Sequence, residues 1–143
     1  MSDLLDLARE AIEIFNRGDW DRVRELLAEN VVYEETGTGR RIEGLEALIE
    51  ALQAWRAGSS DLSGTVTRGV AEGDTTVTEV LWKGTHDGPL VGPAGVLPAT
   101  GRPFQMFSTF WNRWDGNKIV EERNHLDVLG MLGQLGVLPA AGE

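Results

Sequence analysis

The apolar residues of this chain change their spacing once, near Leu62. Before that point they recur every three or four positions in three stretches, which begin at Ser2 or Asp3, at Asp19 and near Gly44. Such spacing is typical of helices with one buried face. After Leu62, β-branched and aromatic residues alternate with polar ones, as they do in strands. Helices followed by strands predict an α+β fold. We expect a curved antiparallel sheet that forms a cone, with helices packed on its concave side.

The strand pattern also predicts where the chain turns. Asn30 ends the second helix, and residues 37–41 form a turn that contains glycine and arginine. Glu72-Gly73-Asp74 and Asp115-Gly116-Asn117 are hairpin turns. Residues 88–101 are too rich in glycine and proline to be regular. They form either a lid or wall over a pocket, or a plain surface crossover. The predicted strands are Val31–Tyr33, Thr65–Thr67, Thr75–Trp82, Phe104–Trp114 and Ile119–Leu126, and residues 128–135 form a last helix.

Length and charge restrict the class of partner. The 143 residues predict a single domain over 1–143, and the formal net charge of −10 argues against binding to nucleic acid or to an anionic membrane. There is no cysteine, which excludes disulfides and thiolate nucleophiles. The acidic N-terminus lacks the basic and apolar regions of a signal peptide, so we expect a cytoplasmic protein.

Short motifs in the second half of the chain resemble those of one family. Residues 82–88, WKGTHDG, are similar to the Gly-x-His-x-Gly segment of the SnoaL-like polyketide cyclases, and 98–102, PATGR, to the Pro-x-Thr-x-Arg stretch that follows it there. The family's closing pattern matches Lys118-Ile119, Asp127 and Gln134-Leu135-Gly136. With the helical N-terminal third, including Phe15-Asn16, the resemblance covers nearly the whole chain.

The resemblance implies a fold, an assembly and a reaction. The fold would be the cone-shaped α+β barrel shared with ketosteroid isomerase and nuclear transport factor 2. Family members usually form dimers or higher oligomers through the outer sheet face, which implies a homodimer here. Well-studied members close a polyketide ring by an intramolecular aldol reaction without metal or cofactor. In them an aspartate on the last strand abstracts the proton, and nearby His, Gln and Asn residues stabilise the enolate.

Several of the family's catalytic positions hold other residues in this chain. When the closing motifs are aligned, the family's aspartate falls on Asn124, its His and Gln on Phe110 and Ser108, and its Asn on Tyr33. An amide does not act as a base near neutral pH, but it donates and accepts hydrogen bonds. Asn124 can therefore orient a carbonyl or hydroxyl group of a ligand, or it can satisfy neighbouring strand groups.

Alternation along a strand sorts the neighbouring side chains into two faces. If Asn124 faces the pocket, Glu122 and Leu126 share its face, whereas His125 and Asp127 lie on the other. The preceding strand would then direct Met106, Ser108 and Phe110 towards the pocket, and Phe107, Thr109 and Trp111 outwards.

Two residues are candidates for proton transfer. His86 lies at a strand end beside the 88–101 segment, and the unperturbed imidazole pKa of about 6.5 suits a proton shuttle. A lone histidine is also often structural. Asp127 precedes an apolar helical run, so its carboxylate either caps that helix or acts as an acid or base in the pocket.

Three further residues are candidates for contact with a ligand. Tyr33 can donate its phenolic proton to an oxyanion, or it can be a core aromatic residue. We expect Glu35, on the same strand face, to be solvated at the strand's end. If it were buried, apolar surroundings would raise its pKa and make it a replacement base. Trp82 is a core residue or lines a pocket for a flat ligand.

These residues predict cofactor-free acid/base chemistry on a hydrophobic, polycyclic or lactone-like small molecule. His86, Asp127 and Tyr33 would be catalytic, and the substrate would contact Asn124, Ser108, Phe110, Met106, Glu35 and Trp82. Two histidines without a recognised spacing are a weak metal signal, so we expect no metal. One alternative is a non-catalytic binding protein, because Asn124 stands where the family keeps its base. Another is hydration as in limonene epoxide hydrolase, which needs two pocket carboxylates.

Overall fold

A computed structural model describes residues 3–92 and 95–138 of the chain. The helices are α1 (Leu4–Arg17), α2 (Trp20–Leu26), α3 (Leu45–Ala57) and α4 (Val128–Gln134). The strands are β1 (Leu27–Glu35), β2 (Arg40–Glu43), β3 (Ser63–Glu72), β4 (Thr75–Thr85), β5 (Leu90–Gly92), β6 (Gly95–Leu97), β7 (Pro103–Asp115) and β8 (Lys118–Leu126). No helix in these ranges is long and apolar enough to span a bilayer.

The first two helices begin at single capping residues, as the sequence predicts, but the second ends at Leu26 and not at Asn30. The Asp3 carboxylate accepts a hydrogen bond from the Leu5 amide at 3.0 Å and begins α1. Gly18 ends that helix in the left-handed region at φ 68°, which glycine adopts without steric cost. The Asp19 carboxylate then caps α2 through the Arg22 amide at 3.2 Å.

Six strands form one sheet in the order β2-β1-β8-β7-β4-β3, and the predicted α+β class is confirmed. The neighbouring pairs are antiparallel except for β1 and β8, which run parallel, so the sheet is mixed and the prediction of a wholly antiparallel sheet is wrong. β1 and β8 lie far apart in the chain, and no hairpin turn therefore imposes an antiparallel direction on them.

Three local predictions are wrong. β1 begins at Leu27 rather than after Asn30, because Leu27 already pairs with Ile119 of β8. The Gly-containing segment 37–41 includes the start of a strand, β2, which pairs with the end of β1. Residues 88–101 are not wholly irregular, because Leu90–Gly92 and Gly95–Leu97 pair as a small hairpin of their own.

The core lies between one face of the sheet and the helices. Every second residue of β7, from Phe104 to Trp114, is buried, and the residues between them are exposed or half-buried. Two apolar clusters fill this space, one around Ile14 and Leu48 and the other around Phe15 and Val80.

A side chain fastens the last helix to the sheet. Gln134 of α4 accepts a hydrogen bond from the Gln105 amide at 2.7 Å and donates to the Gln105 carbonyl oxygen at 2.8 Å. The pair of bonds imitates the exchange between neighbouring strands. It holds α4 beside β7, so that Met131 is buried against the sheet.

Candidate functional site

A cavity of about 550 Å³ lies between the buried face of the sheet and the helices. Most of its lining is apolar, and the polar residues of the lining come mainly from β1, β2 and β8. A cavity of this size holds a drug-sized or smaller molecule. The polar lining residues are Tyr33, Glu35, Thr38, Arg40, Glu122 and Asn124.

Aromatic side chains build the apolar part of the wall. Trp82 contacts Phe15 and Trp55 edge to face, with ring centroids 5.3 Å and 6.3 Å apart. Met106 and Phe110 line the cavity beside them, as strand alternation predicts. Ser108 is buried on the same face, but its hydroxyl oxygen accepts a 2.7 Å hydrogen bond from the Trp82 indole. Ser108 thus fixes the indole ring and does not itself line the cavity.

A chain of hydrogen bonds joins Tyr33, Glu35, Thr38, Arg40 and Asn124 into one polar cluster. The Asn124 amide donates to the Tyr33 hydroxyl at 2.9 Å, and that hydroxyl donates to the Glu35 carboxylate at 2.6 Å. Thr38 and Arg40 donate to the same carboxylate at 2.7 Å and 3.2 Å. Parallel pairing explains the grouping, because it places Glu35 beside Asn124 in the register of β1 and β8.

The expectation that Glu35 is solvated is wrong. Its exposed fraction is only 8%. The segment after β1 turns back as β2 and brings Arg40 over the carboxylate, where the two groups form an ion pair. A buried carboxylate is stable when it is paired and hydrogen-bonded, and Glu35 has three donors.

These bonds define what Tyr33 and Asn124 can offer to a ligand. The hydroxyl proton of Tyr33 is directed at Glu35. Burial is the main cause that raises the pKa of Tyr33 above its ordinary value of 10.0, and the negative charge of Glu35 is the second. Tyr33 therefore stays a neutral phenol. Asn124 donates one amide hydrogen to Tyr33, and its Oδ1 atom is buried without a partner among the described residues. A second amide hydrogen and this oxygen are left for a ligand.

Glu122 is the second carboxylate of the cavity wall. It pairs with Tyr33 in the β1–β8 register and with Asn112 in the β7–β8 register. Oriented with its nitrogen towards β8, the Asn112 amide donates to Oε1 of Glu122 at 3.2 Å. Within residues 3–92 and 95–138, no cation forms an ion pair with Glu122. Burial raises the pKa of this carboxyl to about 7.

The two residues predicted to transfer protons lie outside the cavity lining. The His86 ring is buried against Thr100, with Nδ1 3.0 Å from the Thr100 hydroxyl. Asp127 is exposed, and its carboxylate caps α4 by accepting from the Gly130 amide at 2.9 Å. The geometry thus agrees with the structural interpretation of both residues, and it brings neither to the polar cluster.

Three polar lining residues, Glu122, Thr38 and Arg40, are absent from the candidates that the sequence suggests. Strand alternation places Glu122 on the face of Asn124, and that signal is enough to mark it as a candidate. Thr38 and Arg40 fall in a stretch that resembles an exposed turn. In the described part of the chain, no three His, Cys, Asp or Glu side chains are grouped as metal ligands would be.

Comparison with known proteins finds a family match over nearly the whole chain. The model of the SnoaL-like polyketide cyclase family matches residues 5–135. IdmH of Streptomyces antibioticus is 32% identical, with a TM-score of 0.81 over 95% of this chain and 100% of that one. TsrD of Streptomyces laurentii is 25% identical, with a TM-score of 0.81 over 96% and 100%. AclR of Streptomyces galilaeus, at 19% identity and a TM-score of 0.80 over 98% and 89%, shows the same fold. A search of curated proteins finds no match.

The raised pKa of Glu122 predicts a dependence of stability on pH. The folded protein holds this proton up to about pH 7, whereas the unfolded chain releases it near pH 4.5. The stabilising contribution is therefore complete below pH 4.5 and is lost as the pH rises through 7. We expect the free energy of unfolding of the wild type, relative to Glu122→Gln, to fall by roughly 3 kcal/mol across this range, at about 1.4 kcal/mol per pKa unit. Urea denaturation at several pH values measures it.

A matched control is Glu72→Gln, because Glu72 is exposed at the end of β3. Its difference from the wild type should not change with pH. A constant difference between the wild type and Glu122→Gln would contradict a raised pKa for this half-buried carboxyl.

Proposed function

We propose that this chain, which belongs to the SnoaL-like polyketide cyclase family, abstracts a proton from a hydrophobic, polycyclic or lactone-like substrate without a cofactor. The reaction class is an aldol-type cyclisation or an isomerisation. One observation carries the proposal: a carboxylate without an ion-pair partner among the described residues, Glu122, lies in the wall of a mainly apolar cavity. A base whose pKa is near the working pH is the most effective general base.

The proposed step uses two side chains of the cavity, Glu122 and Asn124. The ionised Glu122 carboxylate takes a proton from carbon next to a substrate carbonyl, and the electron pair of that C–H bond moves onto the carbonyl oxygen. The free amide hydrogen of Asn124 donates to this enolate oxygen. In a cyclisation the enolate carbon then bonds to a second carbonyl carbon, whose oxygen takes the proton back from Glu122.

This arrangement accommodates the departure at position 124. Asn124 stands where the family keeps its aspartate, and Glu122 lies two residues earlier on the same strand face. A glutamate also has one more methylene group than an aspartate. A base at position 122 therefore still lies in the cavity wall. The amide of Asn124 can then orient the substrate.

The bicyclic ketone 2-tetralone tests the proton abstraction, because it is apolar and carries exchangeable protons next to its carbonyl. We expect the wild type to catalyse exchange of these protons in D₂O, followed by NMR. The rate should increase with pH up to a plateau above about pH 7. Glu122→Gln should lower it by about 10²–10⁴-fold, the usual contribution of a general base.

Glu121→Gln is the matched control, since Glu121 is the preceding residue and is exposed on the opposite face of β8. It should exchange 2-tetralone like the wild type. If Glu122→Gln also exchanges at the wild-type rate, Glu122 is not the base. If the wild type does not accelerate the exchange and releases a bound metabolite unaltered, the chain is a binding protein.

A second candidate function is hydration, which the buried Glu35 favours. Two carboxylates, Glu35 and Glu122, line one cavity, and Arg40 orients the first of them. One carboxylate would take a proton from water, the protonated other would give a proton to an epoxide oxygen, and a vicinal diol would form. We expect diol formation from 1,2-epoxyindane, measured by chromatography, if this function holds. Glu35→Gln and Glu122→Gln would then each abolish it, and no diol would exclude it.

We also propose a cytoplasmic homodimer joined through the outer face of the sheet. Phe107 and Trp111 project from this face of β7 with exposed fractions of 52% and 49%, unusually large for aromatic side chains on one strand. We expect Trp111→Glu to lower the mass measured by light scattering from dimer to monomer. Leu129→Glu, on α4, should leave the mass unchanged because that exposed side chain lies away from the sheet. A monomeric wild type would contradict the proposal.

A further inference from the structure

The β5–β6 hairpin, whose described residues are 90–92 and 95–97, forms part of the cavity wall without belonging to the main sheet. Leu90 and Leu97 line the cavity from this hairpin and pair with each other. Neither strand is hydrogen-bonded to the six-stranded sheet. The position of the hairpin therefore depends on its two connections to the rest of the fold and on its packing against α3.

His86 joins the two connections. Its backbone amide donates to the Arg102 carbonyl oxygen at 2.9 Å, and its carbonyl oxygen accepts from the Gly101 amide at 2.8 Å. Its ring accepts a third bond at Nδ1 from the Thr100 amide at 3.2 Å. The residue is 1% exposed, so these bonds are shielded from water. The chain entering the hairpin is thus fastened to the chain leaving it.

The bond from Thr100 also defines the state of the ring. A backbone N–H can only donate, so Nδ1 accepts and the ring proton lies on Nε2. The basic nitrogen of the imidazole is then occupied by Thr100. Since His86 also lies outside the cavity lining, it has no free basic nitrogen directed at a ligand.

Neighbouring residues fix the entering connection to the segment that follows α3. The Asp87 carboxylate accepts hydrogen bonds from the Ser60 amide at 2.9 Å and from the Ser60 hydroxyl. The Gly88 amide donates to the Gly58 carbonyl oxygen at 3.2 Å. Both connections are therefore held by hydrogen bonds, whereas the described strands of the hairpin, β5 and β6, pair only with each other.

We propose that His86 is a positioning residue that holds the base of the β5–β6 hairpin and so determines how a ligand enters and fits the cavity. The proposal rests on the proposed function only in treating the cavity as the substrate site. It assigns a structural role to two motifs, Gly-x-His-x-Gly and Pro-x-Thr-x-Arg. Neither motif contributes a residue to the polar cluster of the cavity. In the structure they are the two sides of one hydrogen-bonded contact.

A pair of substitutions tests the assignment. In His86→Asn the side-chain oxygen can replace Nδ1 as the acceptor for Thr100, whereas His86→Leu fills similar space without an acceptor. We expect His86→Leu to increase hydrogen–deuterium exchange of the amides of residues 90–92 and 95–97 about tenfold, because the loss of the hydrogen bond from Thr100 allows local opening. The exchange rates of the same amides in His86→Asn should lie within about twofold of those of the wild type, because the hydrogen bond to Thr100 is kept.

Turnover of 2-tetralone supplies the second readout. His86→Leu should raise KM about 3–10-fold and leave kcat and its pH profile nearly unchanged, as expected for altered ligand binding. His86→Asn should restore KM. If His86→Asn keeps hairpin exchange at the wild-type level and loses turnover, His86 acts in the chemistry and the proposal is wrong. Unchanged hairpin exchange in a folded His86→Leu also overturns it.

The two readouts separate this proposal from the proposed function. Amide exchange requires no substrate, so a wild type that is inactive on 2-tetralone refutes the proposed chemistry alone. If His86→Leu does not fold, the amide exchange of the hairpin in His86→Asn tests the proposal. Exchange close to that of the wild type supports the role of His86 in holding the hairpin. Exchange raised tenfold in a stable His86→Asn protein contradicts it.

Discussion

The parallel pairing of β1 with β8 is the contact on which the candidate site depends. It joins the first quarter of the chain to the last strand of the sheet. Its register sets Tyr33 beside Glu122 and Glu35 beside Asn124. A shift by one residue would turn each of these side chains to the opposite face, because side chains alternate along a strand. The correct β1–β8 register is therefore required both for the polar cluster and for the burial of the core.

Polar groups in an apolar cavity are costly unless they are hydrogen-bonded, and this structure satisfies them unequally. Glu35 has three donors, one of them a cation. Glu122, on the next strand, has an amide neighbour and no cation among the described residues. The two carboxyl groups thus have different surroundings: Glu35 is paired with the Arg40 cation, and burial raises the pKa of Glu122. Asn124, whose buried Oδ1 atom has no partner among the described residues, pairs with Glu35 in the β1–β8 register and follows Glu122 by two residues.

Much of the fold could be predicted because it depends on local rules. The caps at Asp3 and Asp19 and the inward direction of Met106 and Phe110 follow from residue type and alternation. The site was harder to predict because the surroundings of its carboxylates depend on which strands pair, and that is not a local property. Glu35 forms an ion pair with Arg40 of β2, a strand that resembles a turn in sequence.

The roles of His86 and Asp127 show a different limit. Both residues match motifs of the family, and a titratable side chain in such a motif suggests chemistry. In the structure the Asp127 carboxylate caps a helix and the His86 ring accepts from a backbone amide. A motif can persist because the backbone requires it, and the sequence alone does not distinguish that cause from a requirement of catalysis.

The two hydrogen bonds between the Gln134 side chain and the backbone of Gln105 have a consequence for how the ligand specificity of this fold can change. Both bonds end on main-chain atoms of β7, which every residue except proline provides. The location of α4 is therefore largely independent of the side chains that α4 presents to the cavity. Met131 and Leu132 line that cavity, and substitutions there can reshape it while the helix keeps its place. Evolution can thus adapt the wall to new molecules one residue at a time, without rebuilding the frame that holds it.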